Sequence, residues 1–381
     1  MALPEPTPEA REHSDRVAAH IRDEIAARGG WIAFSRYMEL ALYAPGIGYY
    51  SAGARKLGKA GDFVTAPEIS PLYGQTLARQ MKQVLEAGFD EVLEVGAGSG
   101  ALAATVLEEL ERTGTVPRSY LILELSADLR ERSRDTLAAR VPHLLERVAW
   151  LNRLPPSFSG LVLGNEVLDA MPIDVVRING GKVEEGGVAV RNDRLGWSWR
   201  FASGELLAAA ERLDLPEGFR TEVQLAARGF VRSLSGVLEK GVAFFVDYGF
   251  PEREYYHPQR REGTLMCHYR HQAHADPFFL PGLQDITSHV DFSAVAAAAR
   301  EGGLELAGYT TQAQFLVNCG ITEVMSRTPA EHAARYLPLA NQANRLMSPA
   351  EMGELFKVIA LARGFAAPLT GFREGDRRAS L

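Results

Sequence analysis

The run Glu91-Val-Leu-Glu-Val-Gly-Ala-Gly-Ser-Gly100 constrains the fold of this chain most, because it joins a short apolar strand to a glycine turn. Val92, Leu93 and Val95 suit a parallel strand covered on both faces. Gly96, Gly98 and Gly100 let the backbone turn tightly against a ligand before a helix over Ala101–Leu110. Strand, tight turn and helix in that succession belong to doubly wound α/β folds, and they predict a nucleotide-like cofactor at the turn. The glycines do not choose the cofactor, since with Ala101 as the last small residue they also satisfy the looser dinucleotide pattern. Glu94 bears on the choice. An acid two residues before the first glycine repels the pyrophosphate of a nicotinamide dinucleotide and attracts the sulfonium and ammonium groups of S-adenosylmethionine (SAM).

From Glu91 onward the pattern alternates. Val92–Val95, Tyr120–Leu125, Val148–Leu151 and Leu161–Gly164 read as strands separated by helices, and Val242–Asp247 as a fifth core strand, which predicts a doubly wound parallel sheet. Leu304–Thr310 and Leu355–Ala362 are expected to close it as an antiparallel pair. Before the sheet, helices are expected over Arg11–Arg28, Phe34–Tyr43 and Tyr73–Ala87. Between Val175 and Phe201, β-branched runs broken by Asn179-Gly-Gly and Arg191-Asn-Asp turns predict an inserted antiparallel region, followed by a helix over Thr221–Glu239. Phe250–Phe292 has no clear period and reads as a long functional loop region. The expected division is a helical cap over 1–85, a core over 86–365 with insertions near 173–235 and 250–300, and a tail over 366–381.

At 381 residues, 46% hydrophobic and 23% charged, the chain has room for such a core and the make-up of a soluble enzyme. A net charge of -7 argues against a surface built to neutralise phosphates, so nucleic acid is not the expected partner. The two cysteines, Cys267 and Cys319, cannot build a disulfide framework or a complete cysteine-based zinc site. His268, His271 and His274 are spaced by three but have no convincing carboxylate partner, so no metal is expected. The start of the chain lacks export and import patterns, and the apolar runs are too short to span a bilayer. The expected compartment is the cytoplasm. Oligomeric state is not indicated.

Several polar residues fall where the strands end. Glu124, about twenty residues beyond the glycine turn, can accept hydrogen bonds from ribose hydroxyls or cap the helix near Ser126. Asn152 follows the third strand and is a candidate for the adenine edge. The fourth strand delivers Gly164-Asn-Glu-Val-Leu-Asp-Ala-Met-Pro172, in which Glu166 and Asp169 can hold a guanidinium while Asn165 faces the cofactor. Asp247 and Tyr248 end the fifth strand and are the remaining catalytic candidates. Asp285 and His289 suit a hydrogen-bonded loop scaffold.

Five ordered segments together carry a resemblance: Gly61-Asp-Phe-Val-Thr-Ala-Pro-Glu-Ile-Ser70, Glu94–Gly100, Gly164–Pro172, Val246-Asp-Tyr-Gly249 and Asp285-Ile-Thr-Ser-His-Val-Asp-Phe292. From about Tyr43 to Leu361 the chain resembles the MidA family of SAM-dependent methyltransferases. The family includes a mitochondrial assembly methyltransferase of respiratory complex I. The resemblance implies a class I, Rossmann-like methyltransferase fold, SAM as cofactor, and arginine methylation of a protein such as a complex I subunit. It also implies that Thr65, Glu68 and Ser70 belong near the cofactor pocket. Lacking an import sequence, the chain looks like a bacterial member. A NAD-dependent oxidoreductase and a noncatalytic SAM-binding assembly factor are the alternatives.

Overall fold

In the computed structural model, which describes residues 3–52 and 65–381, the strands predicted to be apolar form the centre of a twisted sheet. We number them β1 (Glu91–Val95), β2 (Ser119–Leu123), β3 (Val148–Leu151), β4 (Phe158–Asn165), β5 (Leu238–Phe250), β6 (Glu305–Thr311) and β7 (Phe356–Arg363). Their order is β6-β7-β5-β4-β1-β2-β3. The five strands from β5 to β3 are parallel, and β7 runs antiparallel to both β5 and β6. Burial explains the pattern: Leu161, Val162 and Leu163 of β4 and Val242, Ala243 and Phe244 of β5 are fully buried, as a sheet covered on both faces requires. Strand order reverses between β1 and β4, which is where open α/β sheets form a ligand crevice at the carboxyl ends of the strands.

Four helices of this unit bear on the site: α1 (Ala66–Ile69), α2 (Pro71–Glu86), α3 (Ala101–Arg112) and α4 (Ala127–Arg140). Ser70 caps α2 by accepting from Leu72 N, with Pro71 at its first position. Leu77, Met81 and Val84 on α2 join the core cluster with Leu107 and Leu161, so α2 belongs to the sheet unit and not to a separate cap.

The chain divides into two units, and the boundaries differ from those expected from sequence. The sheet unit comprises Val64–Leu168, Phe230–Pro251 and Phe292–Leu381. The C-terminal segment is part of it, because Leu369 and Phe372 are buried in its core.

The other unit joins three distant segments, Met1–Phe63, Asp169–Gly229 and Glu252–Asp291. Its helices Pro8–Ala27 and Phe34–Tyr43 bury Val17, Ile21, Tyr37 and Met38 with Ile173, Val188 and Ile286. The inserted region is antiparallel, as the sequence predicts: Asp174–Asn179, Lys182–Arg191 and Arg194–Phe201 are joined by two-residue turns. Both turns, Gly180-Gly181 and Asn192-Asp193, have positive φ at each central residue, the geometry that matches strand twist. Two expectations fail. Thr221–Val223 is strand and not the start of a helix, which begins only at Leu225. Phe250–Phe292 is not a loop region, since Met266–Tyr269 pairs with Gln272–His274 and Asp285–Thr287 and buries Cys267 and Ile286. His268 and His274 therefore lie on a hairpin, with His271 in its turn. Asp285 and His289 act as the expected scaffold: Tyr50 donates to Asp285 and Gln224 donates to the His289 carbonyl.

Candidate active site

The site is built at the carboxyl ends of β1, β2, β4 and β5. Gly96, Gly98 and Gly100 all adopt left-handed φ values, +68°, +55° and +78°. At Gly96 a Cβ would lie 3.0 Å from Val167 Cγ2, and at Gly100 it would lie 2.8 Å from Ser133 Cα, so conformation and crowding both demand glycine. Gly100 is also the N-cap of α3, whose first amides point into the turn.

Two carboxyl groups flank this turn. Glu94 is 2% exposed and accepts a hydrogen bond from Tyr120 Oη at 2.8 Å. Burial pushes its pKa up to about 7; the Tyr120 hydrogen bond pulls it down, and the charge of Glu124 pushes it up again. Glu94 is thus not the open anion suggested by its position in sequence. Its ionisation is finely balanced, and a cation nearby would complete it. Glu124 accepts from Ser126 N at 2.9 Å, and the amides of Gly98 and Leu125 also favour its charged form, although burial raises its pKa overall. Capping of α4 falls to Ser126, whose hydroxyl accepts from Leu129 N, while Glu124 binds the amides that precede the helix. Leu125, 71% exposed, sets a large apolar side chain beside it.

The fourth-strand loop forms the other wall. Glu166 has φ +52°, a strained conformation for a residue with a side chain, and its amide donates to Val246 O at 2.8 Å. Glu166 Oε1 accepts from Asn165 Nδ2 at 3.1 Å and Ala66 N at 3.3 Å, which ties the start of α1 to β4. Tyr73 on α2 donates to Asn165 Oδ1. Glu68 accepts from Ser99 Oγ in the glycine turn, so α1 is also latched there.

The candidate residues do not all converge. Asp247 is corrected from acceptor residue to loop anchor: it is 1% exposed, with Oδ2 accepting from Val167 N and Leu168 N and Oδ1 from Tyr248 N. Tyr248 packs its ring against Phe356, 5.3 Å between centroids, within the core periphery. Ser70 is buried and its hydroxyl oxygen caps α2. Thr65 flanks α1, and its carbonyl accepts from Glu68 N. Asn152 lies in an exposed bend after β3. Asp169 opens the next segment of the other unit, where its carbonyl accepts from Ser288 N. Gly61–Val64 of the first motif lie outside the described residues. Tyr73, Ser99 and Leu125 were missed by sequence reasoning. Only Ser99, inside the glycine run, had a signal that marked it.

The donor set decides which group fits. When ionised, Glu94 and Glu124 accept hydrogen bonds only and suit hydroxyl and ammonium groups. A cationic nucleoside such as SAM fits this set, its charge favouring the ionised form of Glu94. A sheet ordered 6-7-5-4-1-2-3 with this turn and these acids defines the class I methyltransferases.

The comparisons with known proteins agree. Residues 73–310 match a family described as "Putative S-adenosyl-L-methionine-dependent methyltransferase". The protein arginine methyltransferase NDUFAF7, mitochondrial, of Mus musculus is 30% identical, covering 90% of this chain and 83% of its own. Its Drosophila melanogaster homolog is 28% identical, covering 97% and 91%. A Burkholderia thailandensis structure described as a "likely methyl transferase" bound to S-adenosyl-homocysteine (SAH) is 51% identical, with TM-score 0.96 and full coverage of both chains. The chain belongs to this family of SAM-dependent methyltransferases, the MidA family.

Proposed function

We infer that this protein binds SAM in the crevice between β1 and β4 and methylates an arginine nitrogen of a protein substrate. The observation that carries the reading is the pair of buried acids, Glu94 and Glu124, on either side of a left-handed glycine turn. The arginine specificity follows the NDUFAF7 relatives, which are protein arginine methyltransferases. A respiratory complex I subunit is the substrate to which the family resemblance points.

When bound, SAM supplies a methyl group already activated by its sulfonium. The residues of the chain provide orientation and electrostatics. Glu124 would accept from the ribose hydroxyls while its hydrogen bond from Ser126 N holds it still. Glu94 balances the cationic end, and the amides of the glycine turn approach the methionine portion. Glu166, its plane fixed by Asn165 and Ala66, orients the guanidinium and draws off the proton that methylation releases.

Incubation with labelled SAM and lysate from the protein's own source, followed by mass spectrometry of the labelled band, tests the reading. A labelled arginine is expected. Label on another residue type would overturn the arginine assignment, and bound cofactor with no label in repeated trials would favour a noncatalytic assembly factor.

A further inference from the structure

We propose that Arg130 is a positioning residue for the adenosine half of the cofactor, joining the ends of β2 and β3 so that Glu124 is held where the ribose would lie. The inference rests on the SAM reading above. Arg130 lies in the first turn of α4, and its Nη2 donates to Glu124 O at 2.7 Å and reaches Leu151 O at 3.4 Å. Those two carbonyls sit at the carboxyl ends of neighbouring parallel strands. The Glu124 amide also donates to Leu151 O, at 3.3 Å, so a single carbonyl is shared by the strand end and the guanidinium. Beyond this point the ladder stops, and nothing in a parallel sheet itself fixes where the next residues go. A planar cation across both carbonyls supplies that restraint.

The rest of α4 makes the same contact surface. Ser133 Oγ accepts from Trp150 Nε1 of β3 at 2.9 Å, and the Ser133 backbone is what a side chain at Gly100 would strike. Arg134 lies 4.8 Å over the Trp150 ring. One helix therefore touches the glycine turn, the residue proposed for the ribose and the strand before Asn152. Arg130 Nε is buried with no protein partner, although its neighbour Nη2 is fully used. Packing the chain together would not by itself require a guanidinium there.

Charge gives the role a second signature. The titratable and charged groups facing Glu124 are Arg130 from α4 and Glu94 from β1; Arg130 and the amides of Ser126, Gly98 and Leu125 favour the charged carboxylate that burial disfavours, while the charge of Glu124 in turn raises the pKa of Glu94. In Arg130→Met the carboxyl protonates at higher pH, so it loses acceptor capacity toward a diol as pH falls. Calorimetric titration of the intact protein with SAH between pH 8 and pH 6, with the melting temperature of each ligand-free variant alongside, tests this. Arg130→Met should bind roughly tenfold more weakly at pH 7, and its ratio to wild type should grow toward pH 6. Arg130→Lys keeps the charge and puts an ammonium of shorter reach in place of Nη2, so it should restore the wild-type pH profile at intermediate affinity. Equal binding by wild type and Arg130→Met, or a ratio independent of pH, would overturn the inference alone. Wild-type protein that fails to bind SAH would overturn the cofactor reading and this inference with it.

Discussion

Burial of Glu94 under the glycine turn makes its charge depend on what else is nearby, and this is measurable without any substrate. Its folded pKa, about 7, lies above the ordinary 4.5, so the folded state holds this proton more tightly than the unfolded chain. The stability this contributes is fully present below pH 4.5 and is lost as pH rises through about 7, by up to ~3 kcal/mol. Glu94→Gln keeps an acceptor for Tyr120 but cannot ionise, so its melting temperature should fall less than that of wild type between pH 5 and pH 8. Parallel curves would mean that Glu94 does not titrate in this window. Glu124→Ala should cost about 1.5–3 kcal/mol in SAM affinity, the range for a hydrogen bond to a charged group; an unchanged dissociation constant would place the ribose elsewhere. Glu166→Gln should leave SAM affinity nearly intact while turnover collapses, because the shape survives and the charge paired with guanidinium does not. Loss of cofactor binding with turnover retained at saturating SAM would assign Glu166 to the ammonium group instead. Sequence exposed these three acids because each stands at a strand end. It could not expose Tyr73, whose partner Asn165 is brought near only by the packing of α2 on the sheet.

Elements were legible where their pattern is local. The helix Phe34–Tyr43 is as read, and the strands of the parallel sheet stand within a few residues of expectation because their apolar runs are long enough to speak for themselves. Met266–Tyr269, Gln272–His274 and Asp285–Thr287 were not legible, since strands of three or four residues carry almost no period and are defined by partners elsewhere in the chain. Long-range polar contacts escape for the same reason. Arg363, at the end of β7, donates to Ser235 O and Leu238 O at 2.8 Å and also to Gly302 O, so it ties together the ends of two helices and the start of β5. Arg363→Met should destabilise the fold by about 2–3 kcal/mol in urea unfolding, and lysine should recover little because it lacks the fork. A loss within error would show that water replaces the guanidinium without cost.

At the scale of the whole chain, the sequence marked the insertions well but not their common destination. The regions placed near 173–235 and 250–300 correspond to Asp169–Gly229 and Glu252–Asp291, yet together with the first 63 residues they make a single unit. No local pattern announces that Val17 and Ile21 will share a core with Val188 and Ile286, because side chains hundreds of residues apart leave no mark on one another's periodicity. The reverse held for α2, whose helical pattern was plain while its allegiance to the sheet was not.

That three-part construction dictates an order of events during synthesis. The helix Pro8–Ala27 leaves the ribosome early, but Ile286, which completes its core, is made only after β1 to β5 have emerged. Until then its apolar face has no permanent cover, and closing so long a loop is slow. The first helices should therefore stay sensitive to protease on ribosome-bound chains that stop at Gly229, and become resistant once Asp291 has cleared the exit tunnel. Early protection on the shorter chain would mean that the N-terminal segment finds a provisional partner, and that the nascent protein depends less on chaperones than its connectivity implies.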